Sequence, residues 1–208
     1  MKRLTLIFVI AILTACGGGS DDESAYAKAQ QTGSAVPTIC LSGNSVMRGS
    51  YIMPKGEIRR SHNAPEFVLS WNFPQHVIKD YSINGSSVSS MRSVAGWAPQ
   101  PCDAHVILHY HNDDPATFEA QLNAAINESP SPVKMLVIAN TPTPPVPAAW
   151  ANIDTNIETV RRVAAARGMP LCDLKMGSVD NASDGLHPND TGYAVLSGGL
   201  VRCLRGVM

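Results

Sequence analysis

Three short stretches of this chain carry side chains able to do chemistry together. Ser42-Gly43-Asn44-Ser45-Val46-Met47-Arg48-Gly49 puts a serine in a glycine-flanked turn directly after an apolar run. A serine hydroxyl becomes a useful nucleophile when a base takes its proton. Asp184-Gly185-Leu186-His187-Pro188-Asn189 supplies an acid and an imidazole three residues apart. At that spacing the carboxylate can hold the ring in one tautomer while the other ring nitrogen faces a hydroxyl. Tyr110-His111-Asn112-Asp113 closes a third apolar run, and the Asn112 amide can be aimed at a developing oxyanion. Each stretch has an ordinary reading on its own. Gly-Asn-Ser is common turn chemistry, acid-x-x-His pairs arise by chance, and Asn112-Asp113 can cap a helix. The serine does not sit in a Gly-x-Ser-x-Gly elbow, because the second glycine falls at Gly49.

The elements that must position these residues read as alternating strands and helices. Val36–Leu41, Val77–Ile83, His105–Tyr110, Met135–Ala139 and Pro170–Leu174 are short apolar runs that predict strands. Near-continuous apolar runs suit parallel strands covered on both faces. Asp114-Pro115 predicts a cap with proline in the first turn, ahead of Phe118, Leu122, Ala125 and Ile126 at helical spacing. Ile153, Ile157, Val160 and Ala164 form a second stripe, closed by Arg167 and Gly168. Tyr193, Leu196, Leu200 and Leu204 form a third, starting near Asp190. The pattern predicts a three-layer α/β/α sandwich with a mostly parallel central sheet. Thr141–Pro147 holds four prolines and predicts an extended loop at the carboxyl end of the fourth strand. Ligands bind at that end of open α/β sheets.

Composition narrows the partners. With 16 Lys and Arg against 17 Asp and Glu among 208 residues, the net charge is -1. No basic field exists to hold a phosphate backbone, so a nucleic-acid partner is disfavoured. Lys2 and Arg3 precede the apolar run Leu4–Leu13, the layout of a secretory signal peptide and too short to span a bilayer. Leu13-Thr14-Ala15-Cys16 resembles the lipobox of bacterial lipoproteins. That resemblance implies a signal peptide over 1–15, a lipidated Cys16, a flexible tether over 16–35 and a folded domain over 36–208. Gly17 after the cysteine implies the outer membrane, so the expected location is the bacterial cell envelope. Export permits disulfides among Cys40, Cys102, Cys172 and Cys203. Three pairings are open, as are four buried thiols; the expectation carried forward is Cys40 with Cys102 and Cys172 with Cys203.

In order and spacing, the three stretches resemble the SGNH hydrolases, also called GDSL-like lipases and esterases. Gly43-Asn44-Ser45 stands where that family has Gly-Asp-Ser, and Tyr110-His111-Asn112-Asp113 where it has Gly-x-Asn-Asp. Asp184 to Pro188 matches its Asp-x-x-His-Pro, and Ser82-Ile83-Asn84-Gly85 matches its glycine segment loosely. The resemblance implies a flavodoxin-like sheet, Ser45 as nucleophile, His187 as base and Asp184 as its orienter. It implies an oxyanion hole from the Ser45 N–H, the Gly85 N–H and the Asn112 side chain, with neither metal nor cofactor. The expected substrate is a small-molecule or glycan ester, with short acyl groups favoured; oligomeric state is not indicated. The alternative is a non-catalytic envelope lipoprotein that binds glycan through the same cleft. Asn44 replaces the family's aspartate and Tyr110 its glycine. The Asn44 amide can still brace the turn, and Tyr110 is expected either to narrow the acyl pocket or to shift Asn112. Asn44, Tyr110 and, beside Asn112, His111 are expected to line the substrate.

The remaining histidines and tryptophans carry plainer expectations. His109 and His111 are expected to share a strand face, with no third ligand at matching spacing and hence no metal. His105, at its strand's start, is expected to face solvent. Trp150 is expected in the core or beside the cleft; Trp71 and Trp97 lie too far apart for a sugar platform.

Overall fold

Ile39, Cys40 and Leu41 have no exposed surface, as befits β1 (Thr38–Gly43), an interior strand of the sheet. A computed structural model describes residues 36–53, 56–94, 101–140, 151–176 and 184–208. The expected signal peptide, Cys16, the tether, Trp97, Trp150 and the proline-rich loop lie outside the described residues.

From β1 the chain passes through α1 (Ser45–Arg48), a hairpin of β2 (Ser50–Ile52) and β3 (Ile58–Arg60), and α2 (Pro65–Asn72). Then come β4 (Val77–Asp80), α3 (Val88–Arg92), β5 (Ala104–Leu108), α4 (Pro115–Glu128) and β6 (Val133–Asn140). It closes with α5 (Ile153–Arg167), β7 (Leu171–Met176) and α6 (Asp190–Arg205). The main sheet runs β4-β1-β5-β6-β7, all parallel. This is the flavodoxin-like strand order, whose switch point lies between β1 and β5. The helices pack in two groups, α1 with α2 and α6, and α3 with α4 and α5, giving the three expected layers.

Local chemistry explains the element ends. Asp114 caps α4 by accepting from the Ala116 N–H at 3.1 Å, and Pro115 takes the first helical position. Gly168 ends α5 in the left-handed conformation. Tyr193, Leu196, Leu200 and Leu204 are fully buried along α6. Both disulfides pair as expected. Cys40–Cys102 ties β1 to the entry of β5, and Cys172–Cys203 ties β7 to α6.

Two expectations need correction, and two elements are added. His105 does not face solvent: it is fully buried, with Nε2 2.6 Å from Ser42 Oγ and Nδ1 2.8 Å from Ser129 Oγ. A parallel strand covered on both faces has no wet side. His109 and His111 do not share a strand face, because β5 ends at Leu108. His109 Nε2 meets Met91 Sδ at 2.9 Å, while His111 turns to Asn44. The β2–β3 hairpin and α2 are additional elements between the first two sheet strands.

Candidate active site

Gly43 lets β1 turn sharply into the site. A Cβ there would lie 2.9 Å from the Leu108 carbonyl oxygen and closer still to Met47 Cβ, so only glycine fits. Asn44 then caps α1, its Oδ1 accepting from the Val46 N–H at 2.9 Å. Ser45 is thereby held in the first helical position, where a backbone N–H has no intrahelical acceptor.

The acid and base arrive from the other end of the chain. Asp184 Oδ1 accepts from the backbone N–H groups of Leu186 and His187 at 2.9 and 3.0 Å, which fixes the turn. Its Oδ2 accepts from His187 Nδ1–H at 2.7 Å. With that proton on Nδ1, His187 Nε2 accepts from the Ser45 hydroxyl at 2.8 Å. Burial pushes the Asp184 carboxyl up. The hydrogen bonds from the His187 side chain and the two backbone amides outweigh it and hold the group below its ordinary value. Asp184 is therefore ionised at neutral pH, as an orienter of a histidine must be. Asn189 caps α6 on the Gly192 N–H, and Asp190 accepts from Ser61 at 2.5 Å, so the turn is anchored on both sides.

A cavity of about 280 Å³ is lined by Ser45, Gly85, Asn112 and His187. Gly85 has φ +72°, a conformation that disfavours any side chain. Its N–H finds no acceptor among the described residues. Asn112 Nδ2 donates one hydrogen to the Ser86 carbonyl at 3.2 Å, leaving its second for the cavity. Tyr51 and Ile52 from β2, Ile58 from β3 and Leu186 make the wall largely apolar. Arg60 fastens this hairpin, bonding Asp80 at 2.7 Å and Glu66 at 2.5 Å and donating to the Arg48 carbonyl.

The structure thus brings Ser45, Asp184, His187, Gly85 and Asn112 together. It does not put Asn44, Tyr110 or His111 on the cavity wall. All three are buried, with His111 in contact with both Asn44 and Tyr110. Tyr110 does not narrow the pocket, because its hydroxyl runs into the core and accepts from the Ala139 N–H at 3.0 Å. Burial pushes the Tyr110 phenol up, so it stays neutral.

Sequence reasoning missed Asn156, whose Nδ2 donates to the carbonyls of Tyr110 and Asp113, both at 2.8 Å. These bonds hold the loop that carries Asn112. The signal was present: Asn156 lies in the buried stripe between Ile153 and Ile157, where a polar residue needs a reason. The hairpin side chains were also missed, since three-residue strands carry no legible alternation.

Neither protein-family models nor curated proteins give a match to this chain. Solved structures do. A carbohydrate acetylesterase from Sinorhizobium meliloti is similar over 83% of this chain and 100% of its own, with TM-score 0.68 and 12% identity. A lipase/acylhydrolase from Enterococcus faecalis is similar over 82% and 96%, with TM-score 0.66 and 20% identity. A member of the lipolytic G-D-S-L family from Veillonella parvula is similar over 79% and 96%, with TM-score 0.63 and 17% identity. The chain has the α/β fold of these proteins.

Proposed function

We propose that residues 36–208 form a serine esterase of the SGNH hydrolase type, acting on small neutral carboxylic esters. The observation that carries this reading is the unbroken chain from Asp184 through His187 to Ser45 at a cavity bearing spare N–H donors. Ser45 Oγ attacks the ester carbonyl carbon as its proton passes to His187 Nε2. The oxyanion accepts from the Ser45 and Gly85 amides and the Asn112 side chain. As the carbonyl re-forms, the bond to the alcohol oxygen breaks and His187 returns the proton to it. Water then repeats the sequence on the acyl-enzyme and releases the acid.

The cavity supports a small substrate, its volume of about 280 Å³ being just below the roughly 300–1,000 Å³ usual for ligand pockets. Short acyl groups fit that size, and a carbohydrate acetylesterase among the similar structures adds support for acetyl transfer to water. We further propose that Cys16 is lipidated and tethers the domain to the bacterial envelope; mass spectrometry of the mature N-terminus tests this.

The experiment is fluorophosphonate labelling of intact protein beside a panel of p-nitrophenyl esters and acetylated sugars. Label on Ser45 and its loss in Ser45→Ala, with turnover of an ester, is the expected result. Unlabelled Ser45 with no turnover replaces this reading with that of a glycan-binding lipoprotein.

A further inference from the structure

The residue before the nucleophile is hydrogen-bonded to the residue before the oxyanion amide. Asn44 is fully buried and His111 nearly so. Asn44 Oδ1 faces the Val46 N–H, which can only donate, so the orientation of the amide is set. Its Nδ2 therefore donates, and His111 Nδ1, 3.0 Å away, must accept. That assigns His111 a neutral ring with its proton on Nε2. The ring lies on Tyr110, with centroids 3.9 Å apart and planes at 27°. Tyr110 is anchored at both ends, by the Ala139 N–H on its hydroxyl and by Asn156 on its carbonyl.

We propose that Asn44 and His111 are paired positioning residues. Their hydrogen bond fixes the nucleophile turn against the Asn112 loop, so that Ser45 and Asn112 address one carbonyl. The proposal rests on the esterase reading above. An aspartate at 44 would make this bond only with its polarity reversed. A carboxylate there could only accept, so the ring would have to move its proton to Nδ1 and donate, the reverse of the bond seen here. The amide at 44 is what selects the Nε2–H tautomer of His111. Displacing reacting groups by about 1 Å costs roughly 100-fold in rate, and the linked pair prevents such a displacement.

The test separates capping from positioning. Asn44→Ser keeps an oxygen to cap α1 but provides no donor that reaches His111. Its kcat on p-nitrophenyl acetate should fall about 10- to 100-fold, with KM within about twofold of wild type. The buried ring nitrogen left without its donor lowers stability, so kinetics are read at a temperature where the variant is fully folded. His111→Leu should behave likewise. His111→Asn puts Oδ1 where Nδ1 stood and should recover most of the loss. Asn112→Ala should cost about 100-fold in wild type but only a few-fold in the Asn44→Ser background. Wild-type kcat in Asn44→Ser, or effects of Asn44→Ser and Asn112→Ala that simply multiply, would overturn the pairing. Absence of turnover and of Ser45 labelling in the wild type fails the esterase reading instead, so the two failures are distinct.

Discussion

The Tyr193 hydroxyl donates to the Ser50 carbonyl at 2.6 Å, joining residues 143 apart in sequence. It also lies 3.4 Å from the Ser45 carbonyl. Burial pushes the Tyr193 phenol well up, so it remains a donor. Through it α6, which follows directly on the His187 turn, is fastened to the far end of the nucleophile turn. Tyr193→Phe leaves a buried carbonyl without its donor and should cost about 1–3 kcal/mol in urea unfolding. It should also lower kcat more than it raises KM. Unchanged stability would show that another group satisfies Ser50.

Ser45, His187 and Asp184 should behave as one unit. Ser45→Ala and His187→Ala should each remove several orders of magnitude of kcat. The double variant should be little worse than either single one. Asp184→Asn keeps the geometry but favours the wrong tautomer and should also be severe. Steady-state kinetics on folded variants check this; multiplicative losses would mean that the groups act separately.

The hairpin should read the apolar part of the ester. Ile58 is 62% exposed at the cavity and Ile52 is half-buried there. Each buried methylene contributes about 0.8 kcal/mol, or roughly fourfold in kcat/KM. From acetyl to butanoyl esters, kcat/KM should climb by up to that factor per carbon, and the parallel series of alcohols should be compared. Ile52→Ser with Ile58→Ser should flatten whichever slope exists. Two flat series in the wild type would remove the hairpin from substrate selection.

Acid should destabilise the fold well before the carboxylates of the surface are neutralised. Burial lowers His105 to about 4, aided by nearby Lys134, and lowers His109 to about 3. Both are neutral in the fold. Their contribution is complete above the unfolded value of about 6.5 and is lost as pH falls from there toward the folded values. Asp113 has the opposite sign. Burial, partly offset by the Val88 N–H, raises it to about 6, so its cost at neutral pH is relieved as pH drops. The two histidines outweigh the one carboxyl, giving a net loss of about 2 kcal/mol between pH 7 and pH 5. Urea unfolding at the two pH values measures it, and equal stability would refute the burial argument.

What was legible in the sequence was what repeats locally. The α6 stripe, the Asp114 cap and the Gly168 stop each depend on neighbours within a few residues. The Asp184–His187 turn was readable for the same reason. The burial of His105 is not legible locally, because its partners, Ser42 and Ser129, are distant in sequence. Asn44 and Tyr110 stand out as departures from the motif the chain resembles, and His111 as the neighbour of Asn112. Asn44 braces the turn, but none of the three lines the cavity, since adjacency in sequence to a reacting group does not say which way a side chain points. The hairpin escaped notice because three residues per strand leave no period to detect.

The two disulfides are neither nested nor crossed. The first closes a covalent ring from Cys40 to Cys102 that contains Ser45 and Gly85, and the second a ring from Cys172 to Cys203 that contains Asp184 and His187. Asn112 lies on the linear bridge between them. A protease that cuts once inside either ring opens it without releasing a fragment, so nucleophile and base stay on one molecule. A single cut on the bridge divides the molecule into two looped halves, one holding the serine and the other the histidine, with only the sheet and the helix packing to keep them in company.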